Sequence, residues 1–414
     1  MKESEKFKIL ASIAWKNVWK NRRRTILTLL TISAGASMLV LMNAFANGSH
    51  MQMIEDAVSV NTGHIQIAEK GWYENQSIDY AFFPEDNITE VLDREERVTA
   101  WSPRISAGAL LASGGTTTAA LIQGVDYIKE PQVTILHKKI REGKYLTGIP
   151  GEAVIGSTLA KRAGISTGDE FSFISQGFDG SIAAAKLTVT GIFTSGNPEL
   201  DSSLCLINLD EADAIFSMMG YVNAAALNLK NTGQSSEVKN SLKEALKDER
   251  IEVLAWDRLM PELVQFIVMD DVSGWIFNLI LFMIIAFGIL NTMQMSVFER
   301  IREFGVMLAV GTRPGEIRGM IQLESCFISL SGIFLGCVIG SALSLYFQYN
   351  PLDYSNYAKE MEVWGISTVI FPARLTAANL AAASVITFTV SQFFTMFPAK
   401  HASQMDPVRA IRHL

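Results

Sequence analysis

The stretch FERIREFGVMLAVGTRPGEIRGMIQLE, Phe298–Glu324, is a dense run of charge between two long hydrophobic runs, and its reading decides how the chain is laid out. Val297, Ile301, Phe304, Leu308 and Ala309 recur at i, i+4, i+7 and i+11 or i+12, the spacing of one helical face. Glu299, Arg300, Arg302 and Glu303 cover the rest. Gly311, Thr312 and Pro314 then supply a stop and a restart, because glycine tolerates a left-handed C-cap and proline suits the first turn of a helix. The spacing predicts a short amphipathic helix along a membrane face, a turn, and the start of another helix. An ordinary solvated loop between two membrane helices fits the same spacing.

Working outward, four windows contain no Asp, Glu, Lys or Arg: Thr25–Ile54, Val272–Phe298, Ser325–Leu352 and Leu375–Ala399. Each exceeds the roughly 20 apolar residues that cross about 30 Å of hydrocarbon. A charge at mid-bilayer costs about 2.5–3.5 kcal/mol on insertion scales, so such gaps in a chain that is 19% charged are a membrane signature. We read an integral membrane bundle of four transmembrane helices with a large α+β external domain between the first two. The boundaries read are a cytoplasmic amphipathic helix 1–24, spans at 25–47, 272–298, 325–348 and 375–397, and the external domain with helical stalks at 48–270. Between these lie a cytoplasmic coupling segment 299–324, a short external loop 349–374 and a cytoplasmic tail 398–414.

Orientation follows from the lysines and arginines that flank the spans. Lys16, Lys20, Arg22, Arg23 and Arg24 precede the first span, and Lys400, Arg409 and Arg412 follow the last, which puts both termini in the cytoplasm. The segment 48–270 holds most of the 42 acidic residues but only about half of the 35 basic ones. The acidic balance therefore belongs to the exported domain and gives no reason to expect a nucleic-acid partner. Ala44-Phe45-Ala46 resembles a small-residue cleavage site, yet the apolar run before it is longer than a signal peptide's typical 7–15 residues, which favours an uncleaved anchor. Three cysteines and five scattered histidines give neither a disulfide framework outside nor metal-ligand spacing.

Phe7, Leu10, Trp15 and Val18 are spaced for a helix in the inner-leaflet interface over residues 6–22. The first span continues as helix-compatible sequence to about Val60, and residues 257–273 become helical after Pro261, so two stalks are expected to rise from adjacent spans. Between them short β runs alternate with helices, at Gly63–Ala68, Ala107–Ala112, Thr117–Gly124, Ala153–Gly156, Glu170–Ser175, Lys186–Phe193, Ser203–Asn208, Ala224–Leu229 and Ile251–Ala255, in one lobe or two. The hairpin Phe171–Thr190 has a tip of Gly177, Phe178, Asp179 and Gly180, an apolar ring among glycines. Gly332, Gly336 and Gly340 recur every fourth residue, which lets helices approach closely in lipid, within the bundle or between copies. Met38, Leu41, Met42 and Phe45 on the first span are candidates to line a lipid-accessible cavity, and Asn278 and Asn291 are read as interhelical hydrogen-bonding residues. Pro372 is read as opening the fourth span.

The sequence has no G-x-x-x-x-G-K-[ST] motif, and the four windows hold no ionisable group that could serve an ion-coupled carrier. No triad or paired-carboxylate motif stands out. The chain is therefore expected to be no enzyme by itself and to take its energy from a partner.

At this point the residues resemble a known family, the FtsX-like permeases of ABC transporters. The family signature E-R-x-R-E-[IF]-G-x-x-x-A-x-G is similar to Glu299-Arg300-Ile301-Arg302-Glu303-Phe304-Gly305 with Ala309 and Gly311. The family's ending is similar to Pro398-Ala399-Lys400-His401-Ala402 followed by Met405-Asp406-Pro407-Val408-Arg409-Ala410-Ile411-Arg412. The external stretches Gly63–Ile67, Arg104–Asp126, Ala153–Phe173 and Leu187–Ala212 look most like the lipoprotein-releasing (Lol) permeases. The resemblance implies a bacterial inner-membrane, mechanotransmitting subunit. Its coupling residues would be Glu299, Arg300, Arg302, Glu303, Phe304, Gly305, Ala309 and Gly311, seated on a cytoplasmic ABC ATPase dimer. It implies no cofactor in this chain, with ATP and Mg held by the ATPase, and a second permease, either a copy or a similar chain. It also implies a periplasmic carrier or adaptor, for which the hairpin tip is the candidate dock. Release of lipoproteins or another amphiphile is the first reading of the work done; adaptor-dependent efflux of drugs or peptides and mechanical regulation of a cell-wall hydrolase are the alternatives.

Overall fold

The structure is a computed structural model of the chain; it describes residues 3–84, 88–354, 356 and 370–412. These fall into two compact units, one of membrane-type helices and one formed by Met51–Phe266.

In the first unit a helix over Glu3–Lys20 leads, after a single break, into Arg22–Ala57. Pro261–Glu299, the short helix Ile301–Ala309, Pro314–Tyr349, Ala377–Ser403 and Pro407–Arg412 follow. Four of these are long and apolar enough to cross a membrane. Thirty-six residues of helix from Arg22 to Ala57 reach about 54 Å at 1.5 Å per residue, longer than the hydrocarbon needs.

Small and polar residues hold the four together, as is required where lipid removes the hydrophobic drive between helices. Gly332, Gly336 and Gly340 all lie on the seam between the first and third spans. A Cβ at Gly336 would stand 2.6 Å from Ala36 Cβ and 2.7 Å from the Ser33 carbonyl, and one at Gly340 would stand 2.9 Å from Val40 Cβ. Gly35 faces Ile285 and Gly288 faces Thr31 between the first two spans. Asn278 donates to Asn43 Oδ1 at 3.5 Å, while Asn291 is exposed. The third and fourth spans share a hydroxyl ladder, Ser325 with Thr395 at 2.8 Å and Ser329 with Ser391 at 2.7 Å.

The fourth helix does not start at Pro372. Ile370–Phe371 is paired with Leu352–Asp353, and the Pro372 carbonyl lies where a Cβ on Gly48 would be only 2.0 Å away, so this proline belongs to a packed turn. Thr376 is the cap, its hydroxyl accepting from Asn379 N at 3.2 Å. Most of the expected loop 349–374 lies outside the described residues.

The second unit is a single ten-stranded mixed sheet. Its strands are β1 (Ile65–Glu69), β2 (Val98–Ser113), β3 (Thr116–Val125), β4 (Ile140–Gly143), β5 (Glu152–Gly156), β6 (Glu170–Gln176), β7 (Ile182–Phe193), β8 (Leu204–Asn208), β9 (Ala224–Leu229) and β10 (Ile251–Ala255). Their order is β10-β1-β9-β2-β3-β8-β5-β7-β4, with β6 joining β2 to β7. That extra pairing, Leu111 against Phe173 and Phe173 against Ala185, closes β2-β3-β8-β5-β7-β6 into a barrel. Leu111, Ile122, Phe171, Phe173, Leu187, Val189, Cys205 and Ile207 are buried in the core cluster that fills it. One sheet thus replaces the choice between one lobe and two.

Two further features brace this unit. Arg104 on β2 and Glu130 on a short helix are both almost fully buried, Nη2 to Oε1 at 2.5 Å and Nε to Oε2 at 3.2 Å, with Thr134 Oγ1 donating to Glu130 at 3.1 Å. The helix from Arg22 ends in a π-helical turn, Val58–Thr62. There His64 Nε2 lies 2.9 Å from Thr232 Oγ1, which also meets Glu55.

Candidate functional site

The stretch 298–324 forms a helix, a break, a second short helix and a restart. The span from Pro261 ends at Glu299; Arg300, at φ −112° and ψ 13°, interrupts the ladder, and the coupling helix runs Ile301–Ala309. It is therefore shorter than the helix read as beginning at Phe298, which belongs to the span. Gly311 N donates to Leu308 O at 3.1 Å and Thr312 N to Met307 O at 3.0 Å, with Gly311 at φ +103°. That region favours glycine because a Cβ would clash with the backbone. Pro314 opens the third span, and Arg313 N donates to Glu316 Oε2 at 3.1 Å.

Three of the motif's four charges pair with groups of the same chain. Arg300 Nη1 donates to both oxygens of Glu324, at 2.9 and 3.0 Å, and its Nε donates to Glu303 Oε2 at 3.0 Å. Its guanidinium also lies 5.0 Å from the centre of the Phe304 ring. Glu303 is paired with Lys20, and Glu299 with Arg24 at 2.9 Å and with Asn21 at 3.3 Å. Asn17 Nδ2 donates to Glu324 Oε1 at 2.7 Å. Burial alone pushes the Glu303 carboxyl upward, but the hydrogen bonds from Lys20 and Arg300 outweigh it and hold Glu303 below the usual carboxylate range. Burial likewise pulls the Arg300 guanidinium down, and Glu324 and Glu303 more than restore it.

The expected coupling residues thus divide into two sets. Glu299, Arg300, Glu303, Phe304 and Gly305 are engaged with the bundle, Phe304 and Gly305 being buried. Arg302, Ala309 and Gly311 are exposed, and Val306, Val310 at 83% and Arg313 extend that face. Asn17, Lys20, Arg24 and Glu324 were not singled out from the sequence. Glu324 stands one residue outside the third charge-free window, and its partner Asn17 lies 307 residues away.

The other expected sites are placed differently from one another. Met38 and Met42 are exposed on the first span, Leu41 is half-buried, and Phe45 is turned onto Phe347 with ring centres 5.3 Å apart. Phe45 is half-buried like Leu41. The hairpin tip does not project its ring. Phe178 N donates to Phe216 O at 2.8 Å and the ring stacks on Tyr221 at 5.6 Å, because the turn closed by Gly177 N and Ser181 O folds it back on the core. The exposed apolar residues there are Ile182, Ile174 and, across the pairing, Leu110.

Four membrane-type helices, an α+β domain inserted after the first, and a short amphipathic helix between the second and third spans define a multi-pass permease subunit. The chain belongs to the FtsX/MacB-like family of ABC-transporter permeases: the MacB-like periplasmic core domain matches residues 25–245, over half the chain, and the FtsX-like permease C-terminal domain matches 275–407. It is similar to the lipoprotein-releasing system transmembrane protein LolC of Neisseria meningitidis serogroup B, 21% identical over 94% of both chains. It is also similar to the macrolide export ATP-binding/permease protein MacB of Acinetobacter baylyi, 23% identical over 94% of this chain but 57% of that one. Among solved structures, the periplasmic region of MacB from Actinobacillus actinomycetemcomitans matches with a TM-score of 0.36 and 14% identity, covering 50% of this chain and 94% of that one. These relatives place the chain as a multi-pass protein of the bacterial inner membrane.

Proposed function

We propose that the chain is the permease of an ATP-driven complex that lifts lipoproteins, or another amphiphile of that kind, out of the membrane. The observation that carries it is the division of the coupling helix. Its charges pair with groups of the same chain, while Arg302, Val306, Val310 and Arg313 form a semi-apolar face exposed among the described residues. A cytoplasmic ABC ATPase is the partner such a face fits, with ATP and Mg held there and a second permease copy or similar chain beside this one. The flanking lysines and arginines put this face and both termini in the cytoplasm. The match to a LolC relative along 94% of both chains supports the lipoprotein reading. A periplasmic carrier then accepts the cargo; Ile174, Ile182 and Leu110 suit such a dock better than Phe178.

The docking half is tested by co-purifying the ATPase with Val310→Asp and Arg302→Glu variants of the full chain. Both should insert normally and lose the ATPase; retention by both would remove the docking assignment. Cargo is tested by depleting the chain and following labelled lipoproteins from spheroplasts. Unchanged release with altered drug susceptibility points to efflux, and unchanged release with a bound cell-wall hydrolase points to the regulator.

A further inference from the structure

Glu324 is a carboxylate 5% exposed, set in the third spanning helix near its inner end. Three separate elements converge on it. Arg300, at the break before the coupling helix, gives it two hydrogen bonds at 2.9 and 3.0 Å, and Asn17 on the Glu3–Lys20 helix gives a third at 2.7 Å. Lys20 and Arg300 share Glu303 on the coupling helix itself. A buried carboxylate held by three hydrogen bonds from two donor groups has a fixed position, because each donor lost leaves an unsatisfied group in low dielectric.

We propose that Glu324 is a positioning residue of the drive: its carboxylate locks the coupling helix, the Glu3–Lys20 helix and the third span into one body, so that displacement of the coupling helix enters the third span directly. This rests on the reading that an ATPase docks on the coupling helix. The chain offers a poorer route through the second span. Arg300 breaks the helical ladder between Glu299 and Ile301, and a broken ladder transmits bending weakly. From the third span the path continues by close backbone contact. Gly336 and Gly340 sit against Ser33, Ala36, Ser37 and Val40, so a shift of the third span carries the first with it. The Ser325–Thr395 and Ser329–Ser391 pairs carry the fourth. At the outer end of the first span His50 Nε2 lies 2.7 Å from Asp270 Oδ2, joining it to the second. Under this arrangement the paired charges of the motif transmit force and the exposed face of Arg302, Val306 and Val310 receives it.

Hydrogen exchange on the full chain in lipid nanodiscs tests the lock without any partner. Glu324→Gln keeps the shape and removes the charge. It should raise exchange in residues 10–20 and 301–309 together, and the exchanged pair Arg300→Glu with Glu324→Arg should lower it again. A rise in neither segment overturns the lock. The same variants with the ATPase bound test the drive. In the native chain ATP should change exchange around His50 and Asp270; in Glu324→Gln that outer response should be lost while the ATPase stays bound and hydrolyses ATP. An outer response of native size in Glu324→Gln reduces Glu324 to a scaffold and overturns the proposal. Failure of the native chain to bind the ATPase sinks the functional reading instead, and the first measurement still decides the lock.

Discussion

Replacing Gly336 by alanine adds one methyl at the tightest point of the seam between the first and third spans. Its Cβ would stand 2.6 Å from Ala36 Cβ and 2.7 Å from the Ser33 carbonyl oxygen, and the second of these is backbone that no rotamer change can move. Carbon atoms settle at about 3.5–4.0 Å, so the two helices must part by about 1 Å. The seam is continuous, with Gly332 and Gly340 each already leaving less than 3.0 Å for a Cβ toward Ile32 and Val40, so the parting cannot stay local. Overpacking of this kind costs about 1–3 kcal/mol. Alanine's better helix propensity returns up to about 1 kcal/mol, leaving a net loss of up to about 2 kcal/mol. Gly319 supplies the control: it is in the same helix with nothing within 4 Å of its Cβ position, so Gly319→Ala keeps the propensity gain and meets no clash. Unfolding of the two full-length variants in mixed micelles by a denaturing detergent should separate them, Gly336→Ala below the native chain and Gly319→Ala at or above it. Equal midpoints for both would refute the close approach of these helices.

Three further changes read other parts of the structure. Glu130→Gln strands the buried Arg104 guanidinium without its counter-charge and should cost about 3–5 kcal/mol, seen as a lowered thermal midpoint of the full chain, whereas Thr134→Val removes only one neutral donor and should cost about 1 kcal/mol. Glu95 is held down to about 2 from an ordinary 4.5, first by the Arg97 hydrogen bonds at 2.7 and 2.8 Å and against the opposing effect of burial. A depressed carboxyl stabilises fully above its unfolded value and loses that contribution as pH falls, so stability measured against pH should drop less for Glu95→Gln than for the native chain between about 4.5 and about 2. Phe178→Ala should lower the thermal midpoint because the ring packs on Tyr221, while Ile182→Ser should leave it unchanged; a midpoint that responds to Ile182 and ignores Phe178 would reverse the assignment of packing and surface at this hairpin.

Much of the architecture is legible because the membrane and the sheet write simple periods. A charge-free window longer than 20 residues has few alternatives, and runs such as Ala224–Leu229 or Ile251–Ala255 keep the same limits in the sheet. What the periods omit is closure. That β6 reaches both β2 and β7 and turns an open sheet into a barrel depends on Leu110–Ala112 meeting Ser172–Ile174 across some 60 residues, and nothing in either segment alone specifies the other. β4, four residues long with one half-buried position and three exposed, has no alternation to detect. Pro372 shows a local rule losing to tertiary packing: proline suits a helix start, but here the neighbouring backbone is committed to Gly48 and to Leu352–Asp353, and Thr376 has the side-chain acceptor that a start requires.

The coupling segment was legible as an element and misleading as a surface. Spacing marks Glu299, Arg300, Arg302 and Glu303 as the polar side of an amphipathic helix, and a polar side is ordinarily the side offered to a partner. That inference assumes the apolar face alone packs inward. Here the helix lies at the inner end of a bundle whose neighbouring elements carry complementary groups, Lys20 from the first helix, Arg24 from the first span and Glu324 from the third, so three of the four charges are satisfied within the chain. Arg302 is exposed, with Val306 and Val310 beside it. An exposed face that is mostly apolar, next to charges already neutralised, suits a partner groove better than a charged face would, since docking then removes little hydration from ions and gains from apolar burial. The motif's charges then have an internal purpose, the orientation of the helix relative to the third span, and substitution at Glu324 should disturb that orientation as much as substitution within the motif itself.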